Sequence, residues 1–324
     1  QTKTMLAIMV VLLASELIWN GSQYNKTFPA QLIYRETLTT NFLKNNIGQY
    51  RFLVAPADFR GKAGAIIEDK IVAPPNTFLP YQLASIAGKN QLFPKWYREI
   101  AALVEPQNEL SHIIFNQQQS PIYDLLGVKY LLTKEKKEVL SPSYQEVYHN
   151  EGIRIYENLN VMPRAFFASQ VKVANLSELE MMGEDGFDPH TTVIVQTKTI
   201  DPKDISVPTS ADQVEIKEYK NNEVTLQAFT IAKRLLVLTD TYYPGWEVFV
   251  DGNKVELLRV NHAMRGVVLN SGKHQIKFVF WPSILSKGLL IAAIVFLGLI
   301  LEVLRVSFRR IWTNKSLTRI STEN

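Results

Sequence analysis

The chain has 324 residues, no cysteine, 46% apolar and 20% charged residues, and a formal charge of +4 from 35 basic against 31 acidic side chains. The lack of cysteine excludes a disulfide-stapled mini-protein and a thiolate metal site, and 13 Tyr, 16 Phe and 5 Trp are too much aromatic surface for a disordered chain. The length suggests about two domains, because single cores stop growing near ~250 residues, and a mean hydropathy near zero conceals how unevenly the apolar residues are spread.

Met5 to Ala14 reads MLAIMVVLLA and is followed by Ser15, Glu16, Leu17, Ile18 and Trp19. With Lys3 in front and small Ala14-Ser15 behind, the segment has the layout of a secretory signal. The other reading, a transmembrane helix over 1–19 cut at its cytoplasmic end, fits a chain that opens on Gln1. Both readings put Asn20 onward outside the cytoplasm.

The region 28–162 reads as a mixed α/β unit. Gln49–Val54 is a strand bounded by Gly48 and Pro56, and 56–94 is an irregular stretch rich in Gly and Pro, including Pro75. Lys95–Val104 has helical spacing with Trp96, Ile100 and Val104 on one face. Ile122–Thr133 reads as a short helix stopped at Gly127 and then a buried strand, Val128–Leu132. Glu146–Glu157 is a hairpin around Asn150-Glu151-Gly152.

From 163 to 281 the pattern is all-β. Strands are expected at Arg164–Val173, Thr192–Thr197, Gln213–Tyr219, Glu223–Ala228, Arg234–Thr239, Trp246–Val250, Lys254–Leu258, Gly266–Leu269 and His274–Phe280, with a helical turn at Leu176–Met182. Asn221-Asn222, Asp251-Gly252-Asn253 and Asn270-Ser271-Gly272 supply tight turns. Short strands at this spacing predict a β-sandwich or jelly roll. The last strand runs into Pro282 and a second apolar segment, so the sandwich sits close to the bilayer.

That segment, Ile284–Leu304, meets the ~17–25 residues needed to cross ~30 Å of hydrocarbon, with Lys287 and Glu302 near its ends. Trp281 and Pro282 flank one side. Arg305, Arg309, Arg310, Lys315 and Arg319 flank the other, around Trp312, with no acidic residue between Arg305 and Arg319. The positive-inside rule makes 305–324 a basic cytoplasmic tail and 20–281 extracytoplasmic. A nucleic-acid-binding tail is set aside, since it needs a folded reader or a longer arm. The expected class is an α+β extracytoplasmic region, a small α/β subdomain plus a β-sandwich or jelly roll, flanked by two transmembrane helices.

Motifs for phosphate loops, dinucleotide binding, zinc proteases and serine hydrolases are missing. His112, His149, His190, His262 and His274 lack ligand spacing. Glu184, Asp185 and Asp188 around Gly183 and Gly186 do not match a calcium loop and read as a solvated turn. No catalytic residue, metal or cofactor is therefore assigned. The densest feature is Asp240-Thr-Tyr-Tyr-Pro-Gly-Trp246. A carboxylate beside aromatic rings is the composition of a sugar-binding edge, which makes Asp240, Tyr242, Tyr243 and Trp246 candidate glycan contacts. The same residues also read as a Pro-Gly turn whose rings cap the sandwich. Asn261–Arg265 is either a loop beside that edge or a strand whose Arg265 pairs with Asp240, and Arg164 reads as a structural ion pair.

Three stretches carry a family resemblance: Leu125–Thr133 (LLGVKYLLT), Ile153–Ala168 (IRIYENLNVMPRAFFA) and Val237–Phe280, with Pro75-Asn76-Thr77 and the terminal helix in addition. Together they resemble the C-terminal half of bacterial YfhO-type membrane proteins. The resemblance implies a polytopic envelope protein of the C-type glycosyltransferase fold, which moves a sugar from a polyprenyl-phosphate carrier onto an envelope glycopolymer such as a teichoic acid. It implies a catalytic acid in an early outer loop that this chain lacks, so this portion holds an acceptor or closes over the active site. The bilayer, the lipid-linked sugar and the glycopolymer are then the partners, in a bacterial cell membrane. The absence of cysteine fits such an envelope. The alternative is a membrane-anchored binding or scaffolding protein without enzymatic activity.

Overall fold

The structure is a computed structural model, and it describes residues 2–24, 36–54, 78–89, 92–106, 112–113, 120–133, 141–150, 152–174, 177–184, 186–196 and 200–320. It opens with helix α1 (Thr2–Tyr24). Within it Lys3–Ser22 is apolar and long enough to cross a membrane, and none of that window is buried in the protein. Helix α2 (Leu38–Asn46) starts on a reciprocal capping box, with the Thr40 N–H donating to Thr37 Oγ1 at 3.1 Å and the Thr37 N–H to Thr40 Oγ1 at 2.7 Å.

The next elements are β1 (Arg51–Val54), β2 (Gly88–Lys89), α3 (Lys95–Val104), β3 (His112–Ile113), α4 (Pro121–Leu125), β4 (Val128–Thr133), β5 (Tyr144–Asn150) and β6 (Ile153–Asn158). They form a four-stranded sheet in the order β1-β4-β6-β5, with β1 parallel to β4 and the rest antiparallel, while β2 and β3 pair separately. Ser120 caps α4 by accepting from the Ile122 N–H at 3.2 Å, with Pro121 at the first helical position, where its missing N–H costs nothing.

The following elements are β7 (Ala165–Phe167), β8 (Gln170–Val173), α5 (Glu178–Gly183), β9 (Thr192–Val195), β10 (Gln213–Lys220), β11 (Glu223–Thr230), β12 (Arg234–Thr241), β13 (Trp246–Val250), β14 (Asn253–Val255), β15 (Leu258–Val260), β16 (Met264–Leu269) and β17 (Gly272–Phe280). A six-stranded sheet, β7-β12-β16-β15-β9-β8, faces a five-stranded one, β10-β11-β17-β13-β14. Helix α6 (Ser283–Ile320) closes the described chain, and its window Ser283–Val306 is long and apolar enough to cross a membrane, again with no part buried. The α+β class with two apolar terminal helices is as the sequence predicts.

Several boundaries differ. The single strand expected over Arg164–Val173 breaks at Ala168, whose N–H turns to the Leu235 carbonyl, so β7 pairs with β12 while β8 pairs parallel with β9. The strand expected over Lys254–Leu258 is two, β14 and β15, which belong to different sheets. The helix expected at 284–304 continues to Ile320, carrying the basic stretch with it. Leu176, Thr197, Glu151, Asp185, residues 28–35, 321–324 and most of 56–94, including Pro75-Asn76-Thr77, lie outside the described residues.

Strand β12 organises the core because it is buried on both faces. Leu236 and Leu238 enter the sandwich interior with Val224, Leu226, Val248, Val267, Ile276 and Phe278. Leu235 and Val237 enter the opposite core, where Ile100 and Val104 of α3, Leu125 of α4, Met182 of α5 and Leu53 and Leu131 of the first sheet meet the six-stranded sheet. A third core, Leu43, Phe52, Tyr130, Leu132 and Ile155, lies between α2 and the far face of the first sheet. A continuous apolar strand is expected at such a doubly covered position.

Gly266 on β16 shows how close this packing is. A Cβ there would lie 2.7 Å from Val260 Cγ1 and 3.3 Å from Leu235 Cδ1. Gly266→Ala is expected to destabilise the fold by about 1–3 kcal/mol through overpacking, read as a lowered melting temperature of the full chain in detergent by circular dichroism. An unchanged melting temperature would show that β15 can give way.

Candidate functional site

The residues read from the sequence as one edge are divided among three environments. The first is interior. The β12–β16 register shifts between Leu238 and Thr241, and such a bulge re-aims side chains. Asp240 is only 5% exposed. Arg51 Nη2 donates to Asp240 Oδ1 at 3.0 Å, Arg164 Nη2 donates to the same oxygen, and the Tyr219 hydroxyl lies 2.7 and 2.8 Å from the two oxygens. Arg265 Nη1 stands 3.8 Å from Oδ2.

The guanidiniums also tie the layers together. Arg51 donates to the carbonyls of Leu126 at 2.6 Å and Thr239 at 3.0 Å. Arg164 donates to Thr239 Oγ1 at 3.0 Å and to the Gln49 carbonyl at 2.8 Å. Arg265 donates to the Thr241 carbonyl at 3.1 and 3.0 Å.

Electrostatics follow from this crowding. Burial pushes the Asp240 carboxyl up, but Arg164, Arg51 and Arg265 together with the Tyr219 hydroxyl outweigh it and hold the group below its ordinary range. Burial, aided by repulsion from Arg164, lowers Arg51, and burial pulls Arg265 down to about 10. Burial and then the Asp240 charge raise Tyr219. Asp240 therefore faces inward with its oxygens already bonded, and Arg265 and Arg164 are its structural partners. Beside it a cavity of about 270 Å³ lies between the first sheet and the six-stranded sheet, lined by Arg51, Tyr97, Ile100, Thr239, Thr241 and Met264. Burial pushes the Tyr97 hydroxyl up to about 12 as it donates to the Ile86 carbonyl at 2.5 Å.

Tyr242 belongs to a second environment. Its ring meets Trp96 of α3 edge-on at 5.5 Å, and the Arg259 guanidinium lies 5.0 Å over the same indole. Arg259 reaches Gln196 Oε1, the His262 carbonyl at 2.5 Å and Glu178 Oε2 at 3.1 Å. His262 Nε2 lies 2.7 Å from Glu99 Oε2. The β15–β16 turn that presents His262 has φ of +42° at Asn261 and +64° at His262, a left-handed conformation that Asn and His tolerate better than most residues. Asn261 is held there by accepting from the Ile194 N–H at 2.8 Å through its side chain. This cluster joins α3 and α5 to the six-stranded sheet.

Tyr243 and Trp246 share the third environment, at the exit of β17. Phe280 lies 6.4 Å from the Tyr243 ring and 5.3 Å from the Trp246 ring, and the Arg265 guanidinium stacks 3.4 Å over Trp246. The Trp281 N–H donates to the Gly245 carbonyl at 2.9 Å. Gly245 has φ of +108°, and a Cβ there would lie 3.1 Å from the Phe280 ring and from Pro282 Cβ, so the close approach to the start of α6 requires glycine. The structure thus brings Tyr243 and Trp246 together and separates both from Asp240 and Tyr242.

Arg51, Tyr219, Trp96, Glu99, Glu178 and Arg259 carry no motif, and sequence reasoning misses them. The available signal is an arginine inside an apolar strand pattern, as at Arg51 in QYRFLV. Glu184 and Asp188 lie in a turn, where Asp188 Oδ1 accepts from the His190 N–H at 3.0 Å.

Residues 193–292 match the family model described as bacterial membrane protein YfhO. The chain carries a YfhO-type region. The matched stretch contains Val237–Phe280, the longest segment of the resemblance, together with the Asp240 cluster on β12, the His262 turn and the first turns of α6. No curated protein and no solved structure matches the chain.

Asp240→Asn leaves the buried guanidiniums of Arg164 and Arg265 and the half-buried one of Arg51 without a carboxylate and is expected to cost about 3–5 kcal/mol, measured by denaturant unfolding of the full chain. Because the folded-state value of Asp240 lies below the ordinary 3.8, its contribution is complete above 3.8 and is lost as pH falls from there through the folded value. Acid unfolding followed by near-UV circular dichroism should show a loss in that window that Asp240→Asn removes.

Proposed function

We propose that this chain is the ectodomain-bearing portion of a bacterial envelope glycosyltransferase that uses a polyprenyl-phosphate-linked sugar, with an envelope glycopolymer as acceptor. The chain is a membrane protein with a YfhO-type region. Its ectodomain does not supply the catalytic acid. It works by position, holding the acceptor over a donor whose carrier is dissolved in the bilayer. In this reading residues 20–281 lie outside the cytoplasm and the basic end of α6 inside, as the excess of Arg and Lys after Leu304 favours.

One observation carries the reading. β17 ends at Phe280 and α6 begins at Ser283, and the connection is held laterally by the Trp281–Gly245 hydrogen bond and the packing of Gly245 on Pro282. A sandwich joined so tightly to a membrane helix stays at the depth where a lipid-linked sugar is presented. A tethered domain on a flexible linker would sample many heights instead. Asp240 and Tyr242, read from the sequence as glycan contacts, serve this role by holding the layers together, and Tyr243 and Trp246 serve it at the junction.

The test is to loosen that joint in the intact membrane protein. A Gly-Ser insertion between Trp281 and Ser283 is expected to reduce envelope glycosylation at least tenfold while membrane insertion and protein level stay unchanged. Undiminished glycosylation would count against the positional role and favour a non-enzymatic membrane-anchored binding protein.

A further inference from the structure

Rings with an apolar body and a polar tip concentrate where a protein crosses from hydrocarbon to headgroups, because that layer satisfies both ends. Four aromatic residues meet at the β17–α6 junction, and three of them, Tyr243, Trp246 and Trp281, have such a polar tip. Phe280 and Trp281 come from the strand exit, Tyr243 from the β12–β13 loop and Trp246 from the first position of β13. Trp281 is 55% exposed and Tyr243 49% exposed. The candidate span begins at Ser283, two residues after Trp281, and Trp281 Nε1 donates to Ser286 Oγ at 2.6 Å in the first turn of the helix.

The loop is held beside the strand exit by the Trp281 N–H bonded to the Gly245 carbonyl, and the Phe280 N–H bonds the Asn222 carbonyl of the β10–β11 turn on the other side. The neighbouring strand end adds Tyr219, whose ring is 46% exposed although its hydroxyl is tied inward to Asp240. Arg265 stacked on Trp246 braces the inner side. The exposed rings therefore form one patch continuous with the membrane helix, held by backbone hydrogen bonds on one side and by the buried arginine cluster on the other.

We propose that Tyr243–Trp246 together with Phe280 and Trp281 forms an aromatic seat bedded in the phospholipid headgroup layer. The sandwich then rests on the bilayer at two lateral points, the axis of α6 and the loop beside it. Two points set its tilt, where a single helix attachment leaves rotation about the junction free. This seat is independent of the chemistry proposed above, because it needs only the bilayer.

The chain has no cysteine, so a single introduced thiol reports from one place. Tyr243→Cys and Pro244→Cys in the loop, and Phe229→Cys at the far end of β11 as a reference, are each spin-labelled in the full chain. They are reconstituted in phosphatidylcholine–phosphatidylglycerol vesicles, and collision with oxygen is compared with collision with a water-soluble nickel chelate. Both loop sites are expected to be protected from nickel several-fold relative to position 229. Nickel accessibility at both loop sites equal to that at 229 overturns the seat. Because the two loop variants alter different exposed residues, poor folding of one leaves the other decisive. Glycosylation plays no part in the measurement, so failure here is distinguishable from failure of the enzymatic reading.

Discussion

Asp240 stands with both oxygens among groups drawn from separate layers of the protein: Arg51 from the first sheet, Tyr219 from the five-stranded sheet, and Arg265 from the six-stranded sheet, with Arg164 from the segment leading into β7. Each of these side chains is costly to bury alone, and each is acceptable only because the others are there. The cluster consequently sets the relative placement of three sheets that apolar contacts alone would allow to slide. Surface ion pairs elsewhere, such as Arg154–Glu146 at 2.7 Å, keep access to water and contribute little by comparison.

The same cluster is linked to the membrane end of the molecule through Arg265. Its guanidinium touches the Asp240 environment on one side and the Trp246 ring on the other, and Trp246 packs on Phe280 just ahead of α6. A rigid interior is thereby continuous with a rigid attachment. A positional role for the region between the two apolar helices depends on this continuity. A tilt fixed at the bilayer is useful only if the domain above it does not deform.

Much of the architecture is legible in the sequence. The two terminal helices, the short strands of the sandwich and the helix at Lys95–Val104 follow from hydropathy and period. The breaks that sequence reading misses have a common cause. Ala168 and the stretch after Val255 contain no Gly or Pro to mark an end, and the chain changes partners there: after Ala168 it leaves β12 for β9 at the other edge of the same sheet, and after Val255 it leaves the five-stranded sheet to pair with β16. Pairing is a long-range choice, and local propensity does not encode it.

The candidate site shows the same limit more sharply. Clustering of Asp240, Tyr242, Tyr243 and Trp246 in seven consecutive positions suggests one binding edge, but a bulge re-aims Asp240 within β12 and the strand ends at Thr241, so Tyr242 and Tyr243 follow the connection to β13 rather than one strand face. Tyr242 therefore turns to Trp96, Asp240 to the arginines and Tyr243 to Phe280. By itself the sequence determined that apolar helices bracket a β-rich, polar middle, because span length and alternation are local properties. The tertiary structure alone decided which charges meet. Arg51 reaches Asp240 across a sequence separation of 189, and only the folded stacking of the sheets brings the two side chains within a hydrogen bond of each other.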